Sequence, residues 1–79
     1  MARNLTPVTS AVWEARGLIR SLNPGASVSI VLPDGRFSRA EAVRQIGCAA
    51  RVILGPGGYR VDSRTDPLVA MVWRVDGHD

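Results

Sequence analysis

An apolar stripe in the first third of the chain is the feature that most restricts the fold. Thr6-Pro7 has the residues of a helix start, with Thr as the N-cap and Pro at the first helical position. Apolar residues then recur at spacings of three and four: Val8, Ala11, Val12, Ala15, Leu18, Ile19 and Leu22. The spacing predicts an amphipathic helix from about Pro7 to Leu22, which Asn23-Pro24-Gly25 ends.

A strand and a second helix are predicted next. From Ser27 to Leu32, an apolar side chain recurs at every second residue, so one face of the segment is apolar, as in a strand. Ser38-Arg39-Ala40-Glu41 matches the capping box, in which Ser accepts from a helical amide and Glu reaches back to the cap. We therefore expect a short helix from about Arg39 to Ile46, with Gly47 as its C-terminal stop.

The remaining sequence predicts three strands. Ala50 to Leu54 and Tyr59 to Ser63 flank Gly55-Pro56-Gly57-Gly58, which is typical of a hairpin with a four-residue loop. Leu68 to Val75 predicts the last strand.

The predicted architecture is α+β with the element order α-β-α-β-β-β. We expect a two-layer domain in which two helices pack on a small, mixed, four-stranded sheet. The sequence has room for one domain over residues 1–79, with short flexible tails at 1–5 and 76–79.

Part of the second helix is similar to a known motif. Ser38 to Gly47 resembles the first helix of an excisionase-like or MerR-like helix-turn-helix. That resemblance implies a recognition helix beginning near Ala49. The β-branched run Arg51 to Leu54 predicts a strand there instead, so we expect no helix-turn-helix and assign no family.

The amino-acid composition indicates the cellular compartment and the source of the protein. The only cysteine of the 79 residues is Cys48, so an internal disulfide is impossible, which favours a reducing compartment. We find no apolar run of membrane-spanning length and no secretory leader, and we expect a cytoplasmic protein without a membrane partner. All ten basic residues besides the histidine are arginine. This bias indicates a GC-rich source, such as an actinobacterium or its phages.

Catalytic and metal chemistry have weak support. The single histidine, His78, lies beside the C-terminus, where a general base would lack a held geometry. Cys48 has no histidine near it and is expected to be a core thiol. Gly55-Pro56-Gly57-Gly58 lacks the following helix and the Lys of a nucleotide loop. We predict no enzyme activity, cofactor, metal or small-molecule substrate.

Two surfaces are candidates for binding a protein partner. Trp13 lies opposite the apolar stripe of the first helix and is flanked by two arginines, a composition typical of interface hot spots. The last strand is apolar on both sides, so two helices on one face would leave an apolar far face. We expect that far face to show Val31, Ile53, Leu68, Ala70 and Val72, surrounded by Arg51, Arg60 and Arg74. The alternatives are that Trp13 packs within the chain and that one helix covers each face. The predicted partner-binding residues are Trp13, Arg16, Arg20, Val31, Arg51, Ile53, Arg60, Leu68 and Val72.

The predicted function is a non-catalytic protein-protein interaction module. Its partner is another protein or a second copy of the chain, and the small size suits a phage or mobile-element accessory protein that modulates a host protein. The alternative is arginine-mediated nucleic-acid binding by Arg36, Arg39 and Arg44, around the second helix. A solvated helix face is the default interpretation of the same three arginines. The net charge of +3 is modest for a protein that binds nucleic acid.

Overall fold

The computed structural model describes residues 7–64, 66 and 68–75. Five elements follow one another along the chain: α1 (Pro7–Arg20), β1 (Ser27–Val31), α2 (Arg36–Leu54), β2 (Tyr59–Asp62) and β3 (Val69–Arg74). The predictions for Thr6, for His78 and for the two tails lie outside the described residues.

The three strands form one antiparallel sheet with β3 at its centre. The order is β1-β3-β2, and Val72 is paired with Val28 on one side and with Val61 on the other. Because β1 and β2 both run antiparallel to β3, they are parallel to each other, and α2 connects them. The α+β class is confirmed, but the described residues form three strands where four were predicted, and the sheet is antiparallel rather than mixed.

Both helices cover the same face of the sheet. Their buried residues pack on the inward side chains of β1 and β3 in one apolar cluster: Ala15, Ile19, Ile30, Leu32, Ala42, Ile46, Ala50, Ala70 and Val72. Several of the helical members are alanines, whose small side chains allow the two helices and the sheet to approach closely. The predicted stripe of α1 supplies this contact, with Ala11, Ala15 and Ile19 buried.

The second helix is much longer than predicted. It continues through Gly47 to Leu54, so the predicted strand from Ala50 to Leu54 and its hairpin with β2 are wrong. Buried residues recur along α2 at spacings of three and four, at Ala42, Ile46, Ala49 and Ala50. Burial of this stripe against α1 and the sheet outweighs the weak strand preference of Val52 and Ile53. Because α2 is one unbroken helix, residues 38–54 contain no helix-turn-helix.

The start of α2 also differs from the prediction. The helix begins at Arg36 with Gly35 as its N-cap, and no side chain caps it. Glu41 does not reach back to the helix start, because its carboxylate accepts hydrogen bonds from Arg44 and Gln45. The capping box is therefore not formed.

A glycine turn joins α2 to β2. Gly55 has φ 86°, in the left-handed region, and its N–H donates to the carbonyl of Arg51 at 2.9 Å, which ends the helix. A Cβ on Gly58 would collide with the carbonyl of Leu54, so this position also requires glycine. The turn places β2 beside the C-terminal half of α2.

Candidate protein-interaction surfaces

Among the described residues, no helix or strand covers the face of the sheet away from α1 and α2. In the central strand, Met71 and Trp73 face this side. Met71 is paired with Ser29 of β1 and Asp62 of β2, and Trp73 is paired with Ser27 of β1 and Arg60 of β2. We call this the open face and define it by the residues Ser27, Ser29, Val31, Arg60, Asp62, Val69, Met71 and Trp73. Its centre is an apolar row along β3.

Side-chain contacts hold the two large residues of the open face in place. The hydroxyl of Ser29 donates a hydrogen bond to Sδ of Met71 at 2.9 Å. The guanidinium of Arg60 lies over the indole of Trp73, 5.8 Å from the ring centroid, which is within cation–π range. Both contacts join neighbouring strands, so the apolar row is positioned before any partner arrives.

Asp62, at the end of β2, and Asp66 form a wall at one end of the open face. Asp62 accepts a hydrogen bond from the backbone N–H of Arg64, and Asp66 accepts one from that of Leu68, each at 2.9 Å. These bonds are typical of turns stabilised by aspartate. The wall and the strands enclose a depression of about 520 Å³, lined by Ser29, Asp62, Asp66, Val69, Met71 and Trp73.

The predicted far face was assigned the wrong side of β3. Val72 and Ala70 face the helices and are fully buried, so Val72 cannot contact a partner. Ile53 lies in α2 and packs against the core. Val31 and Leu68 are exposed, at 73% and 56%, and only Val31 belongs to the open face. Because both sides of β3 are apolar, its hydrophobic pattern does not determine which side is covered.

The three arginines predicted to surround the far face lie in different places. Arg60 belongs to the open face. Arg51 is in the last turn of α2 and is exposed to solvent. Arg74 donates from Nη1 to the carbonyl of Leu22 at 2.9 Å, so it ties β3 to the segment after α1. The predicted arginine border is therefore not formed.

The Trp13 ridge, defined as Trp13, Arg16 and Arg20, lies on the outer side of α1. The side chain of Trp13 is 66% exposed, and both arginines are exposed as predicted from the helical periodicity. Beside it is a shallow groove between the two helices, lined by Val12, Arg16, Gln45, Cys48, Ala49 and Val52. Cys48 is exposed and is not the core thiol that the sequence predicted.

The arginines proposed for nucleic-acid binding are not equivalent. Arg44 forms an ion pair with Glu41, and its Nε donates to the same carboxylate at 3.2 Å. Hydrogen bonds from Arg44 and Gln45 hold the pKa of Glu41 below its ordinary value, and the same carboxylate raises the pKa of Arg44. Arg36 is exposed at the start of α2, and Arg39 is half-buried one turn later. The three guanidinium groups therefore do not share one environment.

Metal and membrane chemistry find no structural support in the part of the chain that is described. There, no three His, Cys, Asp or Glu side chains are grouped in a way that could hold a metal ion. Within the same residues, neither helix has the length and apolar character needed to cross a bilayer.

Comparison with known protein families, with characterised proteins and with solved structures gives no match to this chain.

Proposed function

We propose that the protein is a non-catalytic interaction module that binds another protein through the open face. The observation that carries the proposal is the preorganised apolar row of Val69, Met71 and Trp73 on an uncovered sheet surface. Trp, Met and Arg are enriched at interface cores, and all three occur on this small surface.

The shape of the open face favours a helix of the partner. Three strands place the outer strand axes about 10 Å apart, and a helix with its side chains is about 10–12 Å wide. One amphipathic helix therefore covers the face, as the protein's own helices cover the other side. The partner helix would place apolar residues on the β3 row and a basic residue near Asp62 and Asp66, which line the depression.

The cellular setting is proposed on composition. The arginine-only basic set and the small size support a phage or mobile-element accessory protein from a GC-rich source, acting in the cytoplasm on a host protein. The Trp13 ridge supports the same class of function as a second contact surface, because an exposed Trp beside two exposed arginines has the composition of an interface hot spot.

Two aspartate substitutions test the open face against a matched control. Met71→Asp places a charge in the apolar row, whereas Val52→Asp places one at an 80% exposed position on α2. Partners captured from a GC-rich bacterial lysate, after nuclease treatment, are identified and purified. We expect wild type and Val52→Asp to bind the purified partner equally and Met71→Asp to bind at least about tenfold more weakly. Equal binding by all three would refute the open-face proposal.

Nuclease treatment and sedimentation distinguish the other occupants. If every captured protein is lost on nuclease treatment, arginine-mediated nucleic-acid binding replaces the proposed function. If the purified chain alone sediments as a dimer that Met71→Asp dissociates, the partner is a second copy of the chain.

A further inference from the structure

A second groove lies at the edge of the sheet, between α2 and β2. Its α2 wall is a single stripe at helical spacing, and its other wall is the outer strand. The groove has a volume of about 530 Å³ and is lined by Val43, Arg44, Gly47, Cys48, Arg51, Tyr59, Arg60, Val61 and Ser63. We call it the edge groove.

The backbone of β2 is available to a further strand in the edge groove. The N–H of Val75 donates to the carbonyl of Gly58 at 3.0 Å, so the carbonyl of Gly58 points to the strand β3 side of the ladder. Backbone groups alternate in direction along a strand, so those of Tyr59 and Val61 point to the outer edge. Since β2 is the last strand of the β1-β3-β2 order, no strand of the described residues pairs with them.

The charges in the edge groove have one sign. Its lining includes Arg44, Arg51 and Arg60 and contains no carboxylate. Within the described residues, Glu41 engages Arg44, but no carboxylate forms an ion pair with Arg51 or Arg60. An arriving acidic group would therefore meet the guanidinium groups of Arg51 and Arg60, with which no carboxylate of the described residues forms an ion pair.

The middle of the edge groove has room for side chains. Gly47 lies in the helical wall, and a Cβ added there would meet nothing within 4 Å. Val43 and Val61 flank this space with apolar surface. The groove thus combines a free strand edge, an apolar centre and arginines on its sides.

We propose that the edge groove binds an acidic peptide segment that adds to β2 as a fourth strand. Alternate side chains of such a strand face opposite sides of the sheet, so acidic residues can reach Arg51 on the helix side and Arg60 on the other. An extended peptide fits these features better than a nucleic acid does, because only a peptide backbone uses the outward groups of Tyr59 and Val61. This site shares Arg60 with the open face, but the argument for it does not depend on the proposed function.

A labelled peptide tests the charge requirement. The probe is a fluorescein-labelled, end-blocked hexapeptide Glu-Glu-Val-Val-Glu-Glu, which presents both residue types on each side of the added strand, and binding is followed by fluorescence anisotropy in low salt. We expect saturable binding that weakens about three- to tenfold in Arg51→Ala and is unchanged in Arg36→Ala, which removes an equal charge from the exposed start of α2. Equal weakening in both variants, or equal binding of the matching Gln-Val peptide, would show nonspecific attraction and overturn the site.

Backbone methylation of the peptide tests strand addition without altering the protein. Only alternate residues of an added strand direct their N–H groups to β2. N-methylation at one set of alternate residues should therefore abolish binding, and N-methylation at the other set should largely preserve it. Equal effects of the two sets would overturn the strand model.

Two further measurements locate the probe and exclude a nucleic-acid ligand. Gly47→Leu should fill the edge groove and abolish peptide binding, whereas Gly17→Leu, at the other helical glycine with open space around it, should not. Bound peptide should also slow alkylation of Cys48, the single thiol, which lines the groove. Tighter binding of a single-stranded oligonucleotide than of the peptide, with the same loss in Arg51→Ala, would assign the groove to nucleic acid instead.

Discussion

Replacement of Gly47 by alanine decides whether α2 continues to Leu54. Glycine inside a helix is less favourable than alanine by about 0.5–1 kcal/mol. Gly47 has a helical backbone with open space at its Cβ position, so alanine gains this difference without a clash. If the helix ended at Gly47 in a left-handed conformation, as the sequence predicted, alanine would instead destabilise the fold by about 1–2 kcal/mol.

The two outcomes differ in sign and are measurable by thermal unfolding. For a domain of this size, 1 kcal/mol corresponds to a change in Tm of about 4–8 °C. We expect Gly47→Ala to raise Tm by about 2–8 °C. Gly55→Ala is the control, because Gly55 has φ 86° and alanine there should lower Tm. A fall in Tm for Gly47→Ala comparable to that of Gly55→Ala would refute the long helix and, with it, the helical wall of the edge groove.

Three other predictions follow from burial and charge. Val72→Asp should unfold the domain, because the side chain of Val72 is fully buried. Met71→Asp should retain the native circular dichroism spectrum. Native folding of Val72→Asp would contradict the side of β3 that is assigned to the core. Arg44→Ala should raise the pKa of Glu41 towards its ordinary value in an NMR titration. Because folding lowers the pKa of Glu41, the Glu41–Arg44 pair stabilises the fold above the ordinary glutamate pKa, and this contribution is lost as pH falls through the lowered pKa. An unchanged titration of Glu41 in the variant would contradict the ion pair. Trp13→Ala should shift Tm by only a few degrees, because the indole is 66% exposed; a large fall would show that it packs within the domain.

The sequence predicted the elements with regular periodicity well. The stripe of α1 and the alternation of β1 each match one strong pattern, and both elements occur close to the predicted positions. The α+β fold class was predicted from these two patterns together with the apolar pattern of the last strand. A helix that packs on one side of a sheet needs only one apolar stripe, and the spacing of apolar residues in the sequence shows that stripe.

The misassigned elements are those in which local preference and packing disagree. Residues 50–54 contain β-branched side chains, yet they complete a buried helical stripe that begins at Ala42. Local propensities of this kind are worth a few tenths of a kcal/mol, whereas burial of one large apolar side chain contributes about 1.5–3 kcal/mol. Gly47 and the apparent capping box reinforced the wrong boundaries.

The candidate surfaces were only partly predictable. The exposure of Trp13 follows from one helical wheel, because the position of α1 on the sheet is determined by its single stripe. The open face depends on which side of β3 meets the helices, and both of its sides are apolar. Met71 and Trp73, which are half-buried on the open face, were therefore not predicted as contact residues. The edge groove could not be found from sequence, because it requires α2 to extend beside β2.

Site-specific photocrosslinking tests the central claim most directly. A photoreactive phenylalanine derivative replaces Met71 in one protein and Val52 in another, and each is irradiated with the purified partner after nuclease treatment. The open-face proposal predicts a covalent adduct to the partner from position 71 and little or none from position 52. Crosslinking from position 52 alone would contradict the proposal and assign the contact to the helical side of the molecule.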